Sequence, residues 1–226
     1  MSVAATPRDA LPATERLRLT EIFGSLQGEA DTVGWPTVFV RLTGCPLRCR
    51  YCDTTYSFYG GEWTSIDAVI DRVREFGYRR VCVTGGEPLA QPNVHALMTR
   101  LCDAGFLVSL ETSGALDAGG VDPRVVRVLD VKTPGSGEVD RNLLCNIEAS
   151  RPSDLVKFVI TSRADYEWSV AFCQTHALPS RVQVLFSPAH GEVTPQDLAE
   201  WILADRLDVR FQLQLHKVLW GEEKGR

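Results

Sequence analysis

The sequence predicts an α/β fold in which helices cover a parallel sheet. Apolar, β-branched runs alternate along the chain with segments that show a helical spacing of apolar residues. The predicted strands are residues 37–43, 79–84, 107–112, 126–132, 155–161, 181–187 and 208–215. Continuous apolar strands that alternate with helices are typical of a parallel sheet buried on both faces.

Several of the segments between these strands predict helices. The predicted helices are residues 65–76, 93–104, 163–178 and 194–206. In the first of them apolar residues recur at i, i+3, i+4 and i+7, which indicates one buried face. Pro195 after Thr194 is a typical start for the last helix. Residues 113–150 contain many glycines and no strong helical pattern, so we expect a shortened or irregular crossover there.

Polar side chains stand at the ends of several predicted strands. These residues are Thr84, Glu111, Lys132, Ser187 and His216. In parallel α/β folds, binding and catalytic residues gather at the carboxyl ends of the strands. The sequence therefore predicts a functional site at that edge of the sheet.

Length and charge narrow the class of protein. A chain of 226 residues suits one compact domain, and we expect a flexible extension over 1–16 and a single core domain over 17–226. The net charge of −5 favours a small-molecule substrate over nucleic acid. No apolar run approaches the ~18–20 residues of a membrane span. The polar N-terminus lacks the apolar stretch of a signal peptide, so we expect a cytoplasmic protein without membrane contact.

Three of the seven cysteines form a short cluster directly after a predicted strand. Cys45, Cys49 and Cys52 have the spacing Cys-x3-Cys-x2-Cys, so one loop can wrap three thiolates around one inorganic core. Iron–sulfur clusters normally take four thiolates. Three leave one iron open to a reacting ligand. The scattered cysteines are predicted to be core residues, and they are Cys82, Cys102, Cys145 and Cys173.

Structural zinc is the rival interpretation of this cluster, and it would make the protein a non-enzymatic zinc module or electron carrier. A closed zinc site takes four Cys or His ligands, usually in paired short-spaced motifs. No Cys or His lies between Cys52 and Cys82, and Cys82 falls inside an apolar strand pattern. The open 4Fe–4S cluster is therefore favoured.

A second motif, TGGEP at residues 84–88, closes the next strand. Alone it could be a tight turn, although its glycines would also let the backbone approach a ligand closely. With Tyr51 before the last cysteine of the loop, the two motifs resemble the radical S-adenosylmethionine superfamily. The resemblance implies that the open iron binds S-adenosylmethionine, which is cleaved reductively to a 5′-deoxyadenosyl radical.

More of the chain, from about Glu21 to His216, resembles the 7-carboxy-7-deazaguanine synthase family of radical enzymes. The shared strings are SLQGE at 25–29, FVRL at 39–42, CDT at 52–54, ET at 111–112 and QLHK at 214–217. The resemblance implies a partial TIM-like barrel of about six parallel strands with a reduced set of helices. It also implies a carbon–nitrogen lyase of queuosine biosynthesis, which contracts the ring of 6-carboxy-5,6,7,8-tetrahydropterin to 7-carboxy-7-deazaguanine and releases ammonia.

The family's site residues carry over to matching positions of this chain. Substrate contacts are implied for Leu26, Gln27, Gly28, Arg41, Thr84, Glu111 and His216. S-adenosylmethionine contacts are implied for Tyr51, Cys52, Asp53, Gly86, Glu87, Asp130, Val131, Lys132, Ser187, Pro188, Ala189 and His190. Thr54 would bind Mg²⁺, which prefers oxygen ligands. Arg41 could instead be a surface arginine, and His216 a structural histidine.

The resemblance also implies partners. A flavodoxin or ferredoxin would reduce the cluster, and members of the family are often homodimers. The charged tail after His216 leaves a role for the C-terminus open. A radical activase that makes a glycyl radical on a partner protein is the alternative function. Such an enzyme shares the cysteine loop and TGGEP but has no use for Gln27, Arg41 and Glu111 as a pterin clamp.

Overall fold

The computed structural model describes residues 15–221, 223 and 225. The strands are β1 (Arg16–Leu26), β2 (Pro36–Leu42), β3 (Glu62–Ser65), β4 (Arg80–Gly85), β5 (Leu107–Thr112), β6 (Val126–Val131), β7 (Leu155–Ile160), β8 (Gln183–Pro188) and β9 (Arg210–Phe211). The helices are α1 (Ile66–Glu75), α2 (Val94–Asp103), α3 (Leu144–Glu148), α4 (Arg163–Thr175), α5 (Pro195–Ala204) and α6 (Leu215–Trp220).

All strands of the described chain join one open sheet in the order β3-β1-β2-β4-β5-β6-β7-β8-β9. From β2 onward each neighbouring pair is parallel, whereas β1 pairs antiparallel with both β2 and β3. The predicted α/β fold, a partial TIM-like barrel of parallel strands, is confirmed as an open and mostly parallel sheet. Because neighbouring parallel strands end at the same edge, the loops after β2, β4, β5, β6 and β7 meet there.

The predicted helices are present with slightly different ends. Ser65, Ser162 and Thr194 cap α1, α4 and α5, each accepting a hydrogen bond from the backbone N–H three residues ahead. Apolar side chains from the strands and these helices form one main core, with residues such as Val40, Val83 and Leu97 fully buried. The crossover after β5 has no helix, and α3 is short, as expected for residues 113–150.

The sequence analysis missed two strands, and one strand that it predicted was wrong. The sequence analysis did not find β1 or β3, because both lie on the antiparallel edge, where polar and apolar residues mix. The predicted strand at 208–215 is only the short β9, and α6 begins at Leu215. At the start of α6 the N–H of Leu215 donates to the carbonyl of Gly28, 3.0 Å away, and not to a neighbouring strand.

The predicted extension at 1–16 lies largely outside the described residues, which begin at 15, and β1 already starts at Arg16. Cys82 and Cys173 are buried as predicted, but Cys145 on α3 is exposed, so that prediction was wrong for Cys145. Among the helices described here, none combines the length and the apolar composition that crossing a membrane requires.

Candidate active site

A cavity of about 440 Å³ opens at the carboxyl ends of the parallel strands. The predicted site residues that line it are Leu26, Gln27, Gly28, Arg41, Cys45, Cys49, Tyr51, Cys52, Asp53, Thr54, Thr84, Gly86, Glu111, Asp130, Lys132, Ala189, His190 and His216. The predicted residues that do not line it are Glu87, Val131, Ser187 and Pro188. Residues distant in sequence therefore converge on one cavity large enough for small molecules.

The cysteine loop (residues 44–53) follows β2 and forms one wall of the cavity. Its N–H groups are tied to neighbouring loops, with Gly44 donating to the carbonyl of Ser57 at 2.8 Å and Arg50 to that of Ser136 at 3.0 Å. Within the loop the N–H of Cys52 donates to the carbonyl of Cys49 at 3.2 Å. The backbone thereby turns all three thiols toward the cavity.

The thiols are suited to a cluster and poorly suited to stand alone as anions. Burial raises the pKa of Cys45 and Cys52, and it raises the pKa of Cys49 to about 11. Iron binding would stabilise the thiolates, since metal ligands must be deprotonated. No group of three or more His, Cys, Asp or Glu side chains in the described chain converges on a single-ion site. A 4Fe–4S cluster does not need such convergence, because each thiolate binds a different iron.

The loop after β4 packs directly against the cysteine loop. A Cβ atom on Gly86 would lie 2.2 Å from the carbonyl oxygen of Gly44 and 2.8 Å from the Cβ of Cys45. Only glycine permits this approach. The adjacent N–H of Glu87 donates to the same Gly44 carbonyl at 2.8 Å. The glycines therefore join the two loops.

The carboxylate of Glu87 faces into the protein rather than into the cavity. It is fully buried and accepts hydrogen bonds from the hydroxyl of Thr112 and from both the N–H and the hydroxyl of Ser113. It also accepts from the N–H of Leu89 at 2.9 Å. This side chain holds the ends of β4 and β5 together, so a contact of Glu87 with a cofactor would have to use its backbone.

Asp130 and Lys132 form the part of the cavity beside the cysteine loop. Their side chains are 3.1 Å apart, and the ammonium of Lys132 lies 5.7 Å from the ring centre of Tyr51. Val131 points into the core because successive strand residues face opposite sides. The same alternation buries Ser187 in β8, while Ala189 and His190, just after Pro188, reach the cavity.

Arg41 is fixed from one side and open on the other. It lies opposite Glu21 across the β1–β2 pair, and its Nε donates to the Glu21 carboxylate at 2.7 Å. The hydroxyl of Tyr56 donates to the same oxygen at 2.8 Å. Because only Nε is used among the described residues, the two terminal guanidinium nitrogens are left for a second carboxylate.

Lys157 on β7 brings together three carboxylates, and we call these four residues the Lys157 cluster. Its ammonium lies 2.7 Å from Glu29, 3.5 Å from Asp130 and 3.6 Å from Glu111. Asp130 and Lys157 are direct neighbours in the β6–β7 register, and Glu111 comes from β5. Glu29 comes from the loop after β1, where Gln214 also donates to it at 2.8 Å.

Burial and charge act against each other in this cluster. Burial alone would lower the pKa of Lys157, but the three carboxylates raise it well above its usual value. Burial would raise the pKa of Glu29, but the adjacent Lys157 charge lowers it. For Glu111, which is farther from the ammonium, burial wins and raises the pKa to about 7. Within the described chain, Oε1 of Glu111 has no hydrogen-bond partner.

The C-terminal segment covers another side of the cavity. His216, on α6 rather than at a strand end, lies so close to Gly28 that a Cβ there would be 2.2 Å from its Nδ1. Burial lowers the pKa of His216, which favours the neutral imidazole. Lys217, Gly221, Glu223 and Gly225 also line the cavity, so the tail does reach the site.

Thr54 lies where the cysteine loop meets α6. Its hydroxyl donates to Asp53 at 2.7 Å, and the other oxygen of Asp53 lies 3.1 Å from the ammonium of Lys217. Burial would raise the pKa of Asp53, but the Lys217 charge lowers it. Thr54 and Asp53 thus offer neighbouring oxygen atoms of the kind that Mg²⁺ binds.

Sequence reasoning assigned no role to several residues in or beside this cavity. Glu21 and Lys157 contact the predicted site residues Arg41 and Glu111 directly. Tyr56 donates to Glu21, and Glu29 accepts hydrogen bonds from Lys157 and Gln214. Lys157 had a visible signal, because a single charge within the apolar strand LVKFVI is unusual unless it is paired. Glu29 belongs to the SLQGE string that the family resemblance uses.

Comparison with known proteins defines the class first. The radical SAM superfamily model matches residues 39–202, so the chain belongs to this superfamily of radical enzymes. A relative named 7-carboxy-7-deazaguanine synthase from Chlorobaculum tepidum is 44% identical over 210 residues, covering 92% of this chain and 96% of that protein. A second, from Koribacter versatilis, is 43% identical over 222 residues, with 92% and 98% covered. The chain therefore belongs to the 7-carboxy-7-deazaguanine synthase family.

A solved structure agrees on the fold. The crystal structure of QueE from Escherichia coli superimposes with a TM-score of 0.74 at 24% identity and covers 89% of this chain and 95% of that chain. At this identity the likeness supports the architecture, which is an open, mostly parallel α/β sheet.

Proposed function

We propose that this enzyme converts 6-carboxy-5,6,7,8-tetrahydropterin to 7-carboxy-7-deazaguanine, a ring contraction that releases ammonia on the route to queuosine. The observation that carries the proposal is the content of one cavity. It combines three cysteines with Arg41, whose two terminal nitrogens make no hydrogen bond to described residues, and with Glu111, whose buried Oε1 has no partner among them. The named relatives, which match nearly the whole chain, support the same reaction.

Cys45, Cys49 and Cys52 would hold the 4Fe–4S cluster, which with S-adenosylmethionine bound would supply the hydrogen-abstracting radical chemistry. Tyr51, Lys132 and Gly86, which line the same cavity, would form walls of the S-adenosylmethionine site. These groups would exclude water on the side of the cluster and hold the cofactor next to the substrate.

The substrate contacts divide by chemistry. Arg41 would hold the pterin carboxylate through its two terminal nitrogens, since a guanidinium fork matches a carboxylate. Glu111 would accept hydrogen bonds from the amino-pyrimidone edge, with Gln27 and His216 closing the pocket. An activase that acts on a protein partner needs neither end of this clamp.

Thr54 would bind Mg²⁺, with Asp53 beside it, and the ion would orient the substrate's carboxylate. The exposed Arg48 and Arg50 lie within the cysteine loop and would face a flavodoxin or ferredoxin that supplies electrons. A cytoplasmic location suits thiols that must stay reduced. A homodimer remains part of the proposal on the family resemblance.

The direct test is anaerobic reconstitution with iron and sulfide, followed by reductant, S-adenosylmethionine, Mg²⁺ and the pterin. We expect 7-carboxy-7-deazaguanine by mass spectrometry, and none from Cys49→Ala. Cys145→Ser, which changes an exposed cysteine outside the cavity, is the matched control and should retain product. Deoxyadenosine without deazapurine would reject the substrate and favour the activase.

A further inference from the structure

The Lys157 cluster contains more negative than positive charge in a buried region. Glu29, Glu111 and Asp130 have side chains that are 14–18% exposed, and the side chain of Lys157 is 9% exposed. Carboxylates packed this closely repel one another unless a cation lies between them. Lys157 is the only residue whose ammonium lies within 4 Å of all three in the described chain.

The three carboxylates use this ammonium unequally. Glu29 has both oxygens occupied, one by Lys157 at 2.7 Å and the other by Gln214 at 2.8 Å. Asp130 is shared with Lys132, which lies toward the cysteine loop. Glu111 lines the cavity and faces Lys157 through Oε2, at 3.6 Å, while its buried Oε1 has no hydrogen-bond partner in the described chain. Glu111 therefore has an acceptor atom that no described residue uses.

We propose that Lys157 is a positioning residue for the pterin. Its ammonium holds Glu111 as an oriented hydrogen-bond acceptor beside the charged Glu29. The inference rests on the proposed function, because it identifies what fixes the acceptor for the amino-pyrimidone edge. That edge presents N–H donors, and a carboxylate oxygen without another partner can accept a hydrogen bond from them. Without the ammonium, Glu111 would protonate or turn away from Glu29 and Asp130.

A chain of alternating charges also runs along the cavity wall toward the cysteine loop. It runs Glu29–Lys157–Asp130–Lys132, and Lys132 ends it beside Tyr51 and the cysteine loop. Lys157 lies at the end with Glu29 and Glu111. Its replacement should therefore change pterin recognition more than S-adenosylmethionine cleavage.

The test uses the reconstituted enzyme and compares Lys157→Met with Lys157→Arg. We expect Lys157→Met to raise the pterin KM by about 10- to 100-fold, the size of a lost charge-assisted hydrogen bond. Formation of 5′-deoxyadenosine without pterin should persist. This measurement also shows that the variant is folded. Lys157→Arg keeps the charge and should raise KM less. An equal rise in both variants would overturn the proposal.

Arg127→Met is the matched control, because it also breaks a buried ion pair. Arg127 pairs with Asp154 at 2.6 Å, and neither residue lines the cavity. This variant should lose stability and keep the wild-type pterin KM. If it raises KM as much as Lys157→Met does, the effect is general weakening and the proposal is wrong.

A double-mutant cycle tests whether Lys157 acts through Glu111. In a Glu111→Gln background, Lys157→Met should raise KM much less than in the wild type, because coupled residues are not additive. Additive effects would overturn the proposal. A wild type that cleaves S-adenosylmethionine but makes no deazapurine would reject the proposed function itself. Normal turnover with an unchanged KM in Lys157→Met would reject this inference alone.

Discussion

The cysteine loop and the Lys157 cluster face each other across one cavity but reach their geometry in different ways. The loop is held by backbone hydrogen bonds and by the close approach of Gly86, and burial keeps its thiols neutral. The Lys157 cluster is held by side-chain charges that already compensate one another. One side thus needs a metal to become charged, whereas on the other side Lys157 and Glu29 favour their charged forms without a ligand.

This difference follows from what burial costs. An unpaired buried charge is strongly unfavourable, so three thiolates without iron would not persist next to one another. Carboxylates that surround an ammonium can remain charged in the same environment. We therefore expect cluster binding by the cysteine loop to depend on close backbone packing. We expect substrate binding beside the Lys157 cluster to depend on side-chain charge.

The largest expected effect comes from filling the space between the two loops. Gly86→Ala would place a Cβ 2.2 Å from the carbonyl oxygen of Gly44 and 2.8 Å from the Cβ of Cys45. Neither atom is the end of a flexible side chain, so the two loops would have to move apart. We expect loss of the iron–sulfur absorption and of all product. Gly120→Ala is the control, because the nearest atom to its Cβ, on His95, is 3.4 Å away. Full cluster incorporation in Gly86→Ala would show that the loop contact is dispensable.

Removing Arg41 should have the next largest effect, and on the substrate alone. Arg41→Ala is expected to lower kcat/KM for the pterin by about 100-fold or more, because two charge-assisted hydrogen bonds are lost. Uncoupled cleavage of S-adenosylmethionine should continue. Arg41→Lys keeps the charge without the fork and should recover only part of the loss.

Arg80→Ala serves as the control for Arg41. Arg80 lies at the start of β4, opposite Thr37 of β2, whereas Arg41 lies opposite Thr84 near the end of β4. The guanidinium of Arg80 stacks on Trp35, 3.9 Å from the ring centre. This variant should turn over the pterin normally. Equal losses in Arg41→Ala and Arg80→Ala would mean that the effect is not specific to the site.

The cysteine side could be predicted from the sequence because its information is local. Cys45, Cys49 and Cys52 lie on one loop, and their spacing, without a second Cys or His pair nearby, indicates an open cluster. The position of Arg41 in β2 also followed from the strand pattern and the family resemblance. The glycines of TGGEP were predicted to allow close approach, and the structure shows that the partner is the cysteine loop itself.

The Lys157 cluster could not be predicted in the same way. Its members come from the β1 loop, β5, β6 and β7, and which charges pair depends on strand register. For Glu87 the local motif was visible in the sequence, but the contacts of its side chain were not. Its place in TGGEP suggested a cofactor contact, yet its carboxylate is satisfied by Thr112 and Ser113. A motif gives a residue's position more reliably than the direction of its side chain.

The smallest effect tests the charge of Glu111 directly through pH. Its pKa, raised by burial to about 7, means that the carboxylate is ionised above that pH and protonated below it, while Glu29, Asp130 and Lys157 face it. A protonated carboxyl loses an acceptor, so kcat/KM for the pterin should fall as pH drops through 7, by up to about tenfold per pH unit. The fall should be absent from Glu111→Gln, which cannot titrate, and from the rate of uncoupled deoxyadenosine formation. If kcat/KM of Glu111→Gln falls in the same way, a group other than Glu111 causes the pH dependence. The contrast between the neutral thiols and the charges of the Lys157 cluster would then have no effect on substrate turnover that this experiment detects.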